Sequence, residues 1–127
     1  MKKVIFLLFL LVSAGVNAQT DITNQVVAAV KTGNVEELSK YFADNIDLAV
    51  QDTDDIVSKA QAKQILKKFF DGCTPQDFTI KHQGKSQLGI EYRIGELKAA
   101  CGTFRVNINL KQVGDSYQVN QFRIENQ

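Results

Sequence analysis

The sequence predicts an α+β fold in which a strongly bent antiparallel sheet packs on one long helix, with shorter helices ahead of it. Three observations carry this. From Gln76 to Glu125 apolar residues recur at every second position, as in strands with one face buried and one face wet. Between Ser58 and Phe70 the spacing is helical instead: Ala62, Ile65, Leu66, Phe69 and Phe70 make one apolar stripe. Upstream, two short amphipathic patterns are separated by a glycine stop at Gly33.

The chain has 127 residues, the size of one domain with a leader. Lys2 and Lys3 precede an unbroken apolar run from Val4 to Val12, and Val16-Asn17-Ala18 places small residues where cleavage is expected. Residues 1–18 are therefore read as a signal peptide and 19–127 as a single domain. The run is far shorter than the roughly 20 residues that span a bilayer, and no cysteine stands near the cut to carry a lipid. The expected location is outside the cytoplasm, periplasmic or secreted.

Fifteen basic residues face fourteen acidic ones, and the leader takes two lysines with it. A near-neutral domain lacks the basic excess of a nucleic-acid footprint and has no electrostatic hold on a membrane. One histidine and two cysteines cannot build a His/Cys metal site, so no metal and no cofactor are expected. In an exported chain Cys73 and Cys101 permit a disulfide without requiring one.

Taken in order, Asp21 caps a first helix whose apolar face is Ile22, Val26, Ala29 and Val30. Asn34 caps the second, with Glu37 three residues on, and Val35, Leu38, Tyr41 and Phe42 are expected along its buried side. Ile46, Leu48 and Val50 alternate as a short strand. Asp52 to Asp55 reads as a turn, with Ile56-Val57 as a brief return strand. Ser58 and Gln61 form the capping box of the long helix, and Lys59, Lys63, Lys67 and Lys68 take its solvated side.

Four strands follow. A three-residue loop, Gly84 to Ser86, pairs Ile80 with Ile90 and Phe78 with Tyr92, so Ile90, Tyr92 and Ile94 face the core. Leu97 pairs with Phe104 but is out of phase with Ile94, which places a bulge at Gly95. The last hairpin turns at Gly114-Asp115 and pairs Leu110 with Val119. Phe122 is out of phase with Val119, which places a second bulge near Asn120-Gln121. Cys73 and Cys101 fall at one end of this sheet. With the second strand between them, two strand spacings of about 9.5 Å exceed the 7 Å limit for a disulfide unless the loops curl inward.

This element order resembles the nuclear-transport-factor-2-like superfamily, a cystatin-like cone that also holds ketosteroid isomerase. More narrowly, SKAQAKQILKKFF, HQGKS, YRIGEL, GTFRVNINLK and QFRIE resemble a family of small exported Bacteroidetes proteins, domain of unknown function 4783. The resemblance covers the mature chain. It rests on turn glycines, a bulge and inward aromatics, so it implies a fold and brings no activity.

Enzymes of the superfamily, by resemblance, need an inward carboxylate and an oxyanion donor. Here the expected inward positions are apolar, with Glu91, Arg93, Arg105, Asn107, Asn109, Arg123 and Glu125 on the outer face. His82 shares a face with Phe78 and Ile80 near a hairpin end and has no acid or nucleophile fixed beside it. No catalytic residue is assigned. Tyr41, Tyr92 and Phe104 are the candidate lining of an apolar pocket in the cone. The expected function is a non-enzymatic binding or interaction module, with a small apolar ligand, a protein partner or a homodimer through the outer sheet face as its contacts. A small isomerase- or hydratase-like enzyme is the alternative.

Overall fold

The computed structural model describes residues 21–127; the expected signal peptide lies outside them. Two short helices, α1 (Thr23–Thr32) and α2 (Val35–Ser39), lead into a hairpin of β1 (Phe42–Val50) and β2 (Thr53–Ser58). The long helix α3 (Lys59–Gly72) follows, then β3 (Pro75–Lys85), β4 (Ile90–Ala99), β5 (Gly102–Val113) and β6 (Ser116–Asn126). The domain is α+β, with its helices packed on one face of a six-stranded sheet.

The caps of the second and third helices fall where the sequence puts them, whereas Ile22, not Asp21, holds the N-cap position of α1. Asp21 accepts the Thr23 N–H at 2.9 Å ahead of α1. Gly33 ends that helix at φ 69°, and the Asn34 N–H closes on the Ala29 carbonyl at 2.9 Å, a left-handed cap that glycine adopts without strain. Asn34 caps α2 through the Glu37 N–H, and Ser58 and Gln61 form a complete capping box on α3. Helix α2 is shorter than expected. It ends at Ser39, and Phe42 begins β1 as a buried core residue.

The sheet order is β2-β1-β6-β5-β4-β3. Strand β1 lies parallel to β6, with Leu48 beside Phe122 and Ala49 beside Arg123, so the early hairpin extends the four-strand meander. The β1–β2 turn is Gln51-Asp52, and β2 starts at Thr53, inside the stretch read as a turn. Leu97 pairs with Phe104 and Leu110 with Val119, as the sequence predicts. Asn120 is the extra residue between the Gln121 and Val119 pairings, so the second bulge falls where expected.

The β3–β4 register differs from the expectation. Phe78 pairs with Leu97 and Ile80 with Gly95, then His82 with Ile94, which leaves Lys81 as the extra residue. The bulge therefore lies in β3, opposite Gly95, and β4 runs without a break. Odd residues of β4 (Arg93, Gly95, Leu97, Ala99) are the buried set. Tyr92 and Ile94 lie on the open face, and Glu91 and Arg93 turn to the helix side. Gly95 is required by close approach: a Cβ there would sit 2.6 Å from the Phe78 ring and 2.8 Å from the Thr79 carbonyl.

Cys73 and Cys101 form a disulfide with Cα atoms 5.2 Å apart. The expected separation counted one strand too many. Pro75 pairs with Ala99 and the Ala100 N–H donates to the Thr74 carbonyl at 2.8 Å, so both cysteines continue one β3–β4 ladder.

Candidate functional site

The helix face is filled where an apolar pocket was expected. Leu48, Leu66, Val106, Ile108 and Phe122 meet there, each fully buried or nearly so. Open space lies instead at one end of the sheet. Strand β1 makes its last pairing with β6 at Ala49 and Arg123, while β6 runs on through Ile124, Glu125 and Asn126 beside β5. The gap left by β1 is a notch of about 470 Å³.

Its apolar lining comes from both layers. Val50 and Ile124 bring aliphatic side chains, and Phe69 of α3 meets Phe104 of β5 edge-on with centroids 5.6 Å apart. The disulfide ties the end of α3 to the hairpin that starts β5, close in sequence to both aromatic rings. Gln51, Thr53, Asp54, Arg123, Glu125 and Asn126 supply polar groups. Gln51 adopts φ 52°, uncommon for a residue with a Cβ.

Among the described residues Arg123 is the only cation lining the notch, and it is outnumbered. Its guanidinium meets Asp47 at 2.9 Å, Asp54 at 3.2 Å and Glu125 at 3.7 Å. The Asp54 hydrogen bond, with Asp47 and Glu125 adding their charge, holds Arg123 above its usual pKa. One fixed positive charge thus stands among three carboxylates, of which Asp54 is 69% exposed.

Of the three residues expected to line a pocket, Phe104 lines the notch. Tyr41 packs half-buried on the core between α2 and β1, its carbonyl accepting the Val119 N–H at 2.7 Å. Tyr92 lies on the open face over Gly84, where its ring takes the space a side chain would fill. The structure does not bring the three together. His82 also moves to the open face, because the Lys81 bulge reverses the phase of β3 after Ile80.

One polar cluster on the helix side was absent from the sequence reading. The Arg93 side chain is 7% exposed and bolts the start of α1 to the sheet. Its Nε donates to Thr23 Oγ1 at 2.9 Å, Nη1 to the Tyr92 carbonyl at 3.0 Å and Nη2 to Glu91 at 2.8 Å, with Asp21 at 3.8 Å. Hydrogen bonds from Arg93 and then Tyr117 hold Glu91 below its ordinary pKa. The signal was present in the odd-numbered phase of Arg93, Gly95, Leu97 and Ala99, but the even-numbered Ile90, Tyr92 and Ile94 are more apolar and outweighed it. Among the described residues, no three His, Cys, Asp or Glu side chains converge to hold a metal, and no helix is long and apolar enough to cross a membrane.

The family model for DUF4783, a domain of unknown function, matches residues 23–125. Solved DUF4783 family proteins from Bacteroides fragilis and Bacteroides uniformis are each 34% identical to this chain and cover 84% of it. The matches take in 100% and 98% of those chains, with TM-scores of 0.77 and 0.78. An uncharacterised cystatin-fold protein from Novosphingobium aromaticivorans is 16% identical, covers 80% of this chain and 92% of its own, and has a TM-score of 0.56, a likeness of fold alone. None of the curated proteins matches.

Proposed function

The chain belongs to the DUF4783 family of domains of unknown function, and from its geometry we propose an exported, non-enzymatic binding module that takes a small ligand in the notch. The observation that carries this is the placement of open space. On the helix face Leu48, Leu66 and Phe122 are fully buried, whereas the notch offers about 470 Å³ behind a wall of Phe69, Phe104 and Ile124, within the volume range of small-molecule sites. Its charged lining of Asp54, Arg123 and Glu125 is paired and includes no histidine, so it orients a ligand better than it moves a proton near neutral pH. Glu91, the carboxylate turned to the helix side, is hydrogen-bonded to Arg93 and is not part of the notch lining.

The sequence contains no tryptophan, so Phe104→Trp gives a single fluorescent reporter in the notch wall. Its emission is expected to shift and saturate with small aromatic amphiphiles at millimolar concentration or below. No shift with cationic, neutral or anionic probes would remove the reading. Turnover of an enolisable ketosteroid that His82→Ala abolishes would replace it with the isomerase alternative. Export is tested by the N-terminus of the secreted or periplasmic protein, expected at Gln19.

A second reading concerns the open sheet face, where Tyr92 is 39% exposed between the half-buried Ile90 and Ile94. Nothing among the described residues covers this strip, and the face carries both signs of charge in Arg105, Glu96, Arg123 and Glu125. A second copy of the chain suits such a face, since one two-fold arrangement matches opposite charges twice. Sedimentation equilibrium reads it: dimer in the wild type and monomer in Tyr92→Asp.

A further inference from the structure

We infer that the ligand of the notch is a cation with an apolar body, an alkylammonium or guanidinium head on a hydrophobic stem. This rests on the reading of the notch as a binding site and adds its charge preference. Two features of the cavity lead to it independently. The first is the wall. Phe69 and Phe104 stand edge to face beside Val50 and Ile124, so the floor accepts an apolar group, and an aromatic face also attracts a cation within about 6 Å of its centre. The second is the balance of fixed charge. Asp54 and Glu125 line the cavity with Arg123, Asp47 outside the lining reaches the same guanidinium at 2.9 Å, and Arg105 pairs across from Glu125 on β5, which leaves one carboxylate charge over.

An anion entering here finds its one candidate partner already held by three carboxylates. A cation finds Asp54 and Glu125 on the lining, the first 69% and the second 42% exposed; Asp54 meets the arginine, and Glu125 meets the arginine and accepts from Asn107 Nδ2 at 3.1 Å. The end of β6 adds polar backbone. Beyond Arg123 that strand has β5 on one flank and no partner in β1 on the other, so main-chain groups around Ile124 to Asn126 border the cavity. A strand edge presents both N–H and C=O groups, so this border can hydrogen-bond a ligand head, and the charge preference rests on the side chains.

Three probes of one shape separate charge from hydrophobicity: phenethylammonium, 2-phenylethanol and phenylacetate. Titrated into the ¹⁵N-labelled mature protein, phenethylammonium is expected to shift the amides of Gln51, Asp54 and Asn126 most strongly. The alcohol should bind more weakly and phenylacetate least. Raising salt from about 20 mM to 500 mM should weaken the ammonium and leave the alcohol unchanged. Asp54→Asn is expected to weaken the ammonium about threefold and Arg123→Gln to tighten it about threefold, the scale of an exposed charge pair.

Asp54 is at the surface, so its substitution leaves the fold intact, and thermal melts confirm that for both variants. A capped lysyl peptide, acetyl-Phe-Lys-amide, run beside the free amine shows which source of the cation binds tighter. If all three phenyl probes leave the amides unmoved, the notch is not a binding site and this inference falls with that reading. If phenylacetate or the alcohol binds as tightly as the ammonium, or Arg123→Gln weakens the ammonium, the notch binds ligands but the charge preference is wrong.

Discussion

Arg93 and Arg123 sit two strands apart, on β4 and β6, and each is surrounded by acids, yet they do opposite things. Arg93 faces the helices, 7% exposed, and spends its donors on Thr23, the Tyr92 carbonyl and Glu91, with Asp21 closing the set. Arg123 faces outward at the notch, 22% exposed, among three carboxylates that still reach water. A desolvated charge must be fully hydrogen-bonded to persist, and once it is, it has nothing left to offer a ligand. A half-exposed charge outnumbered by partners leaves partners over. The same residue type beside the same acids therefore marks structure on one face and a site on the other.

The largest expected effect tests the buried side of this contrast. Arg93→Met strands Glu91 against the helix layer and unties α1 from β4, and should cost about 3 kcal/mol in a denaturant melt. Arg123→Gln removes an ion pair of the exposed kind and should cost under about 1 kcal/mol. Equal losses would dissolve the distinction between the two clusters.

Next in size is the strand that presents Arg93. Valine at Gly95 has no room, because its Cβ alone would lie 2.6 Å from the Phe78 ring and 2.8 Å from the Thr79 carbonyl. Overpacking at the site should cost about 2 kcal/mol or more. Gly89 has open space around its missing Cβ but a φ of +82°, so valine there should cost about 1 kcal/mol through backbone strain. A melt in which Gly89→Val is the worse variant would show that β4 is not pinned at Gly95.

These two glycines also show where the sequence was legible. A phase break between Ile94 and Leu97 is visible in the chain, and Gly95 is rightly singled out by it. A break of phase has two solutions, however: an extra residue in the strand, or a change in which face the apolar residues occupy. Ile90, Tyr92 and Ile94 favour the first because they are apolar. The fold takes the second, since the extra residue belongs to the neighbouring strand at Lys81. That choice hid Arg93, sent Tyr92 and His82 to the open face, and so removed Tyr92 from any pocket shared with Tyr41 and Phe104.

Elsewhere local chemistry was sufficient. Caps at Asn34 and Ser58, the turn at Gly114-Asp115 and the bulge at Asn120 depend on near neighbours and are found as expected. The notch depends on where β1 stops beside β6, a pairing between segments some 74 residues apart that no local pattern encodes. Phe104 was expected in a pocket within the cone and instead lines the notch at the end of the sheet. Arg123 and Asp54 meet only through that long-range pairing.

The smallest effect is in the pH dependence, and it also separates the clusters. Glu91 and Asp21 have pKa values lowered from 4.5 and 3.8, Glu91 first by its hydrogen bond from Arg93 and Asp21 first by that from Thr23. A carboxylate with a lowered folded-state pKa adds stability above its unfolded value, and that stability is lost as pH falls through the folded one. Acid should therefore soften the wild type below about pH 4.5, with the Glu91 share missing in Arg93→Met and the Asp21 share missing in Thr23→Ala. At the other limit Tyr117 is raised from 10.0, first by its hydrogen bond to Glu91. Its contribution is present below pH 10.0 and is lost as pH rises through the higher folded value, so Tyr117→Phe should abolish that alkaline loss. Arg123→Gln is the comparison variant, since it removes a charge on the outer face and leaves the Arg93, Glu91 and Tyr117 contacts in place. Melting temperatures across pH 3 to 11 read all four variants together, and an acid limb that moved with Arg123 rather than Arg93 would place the pH-sensitive contacts at the site instead of in the bolt.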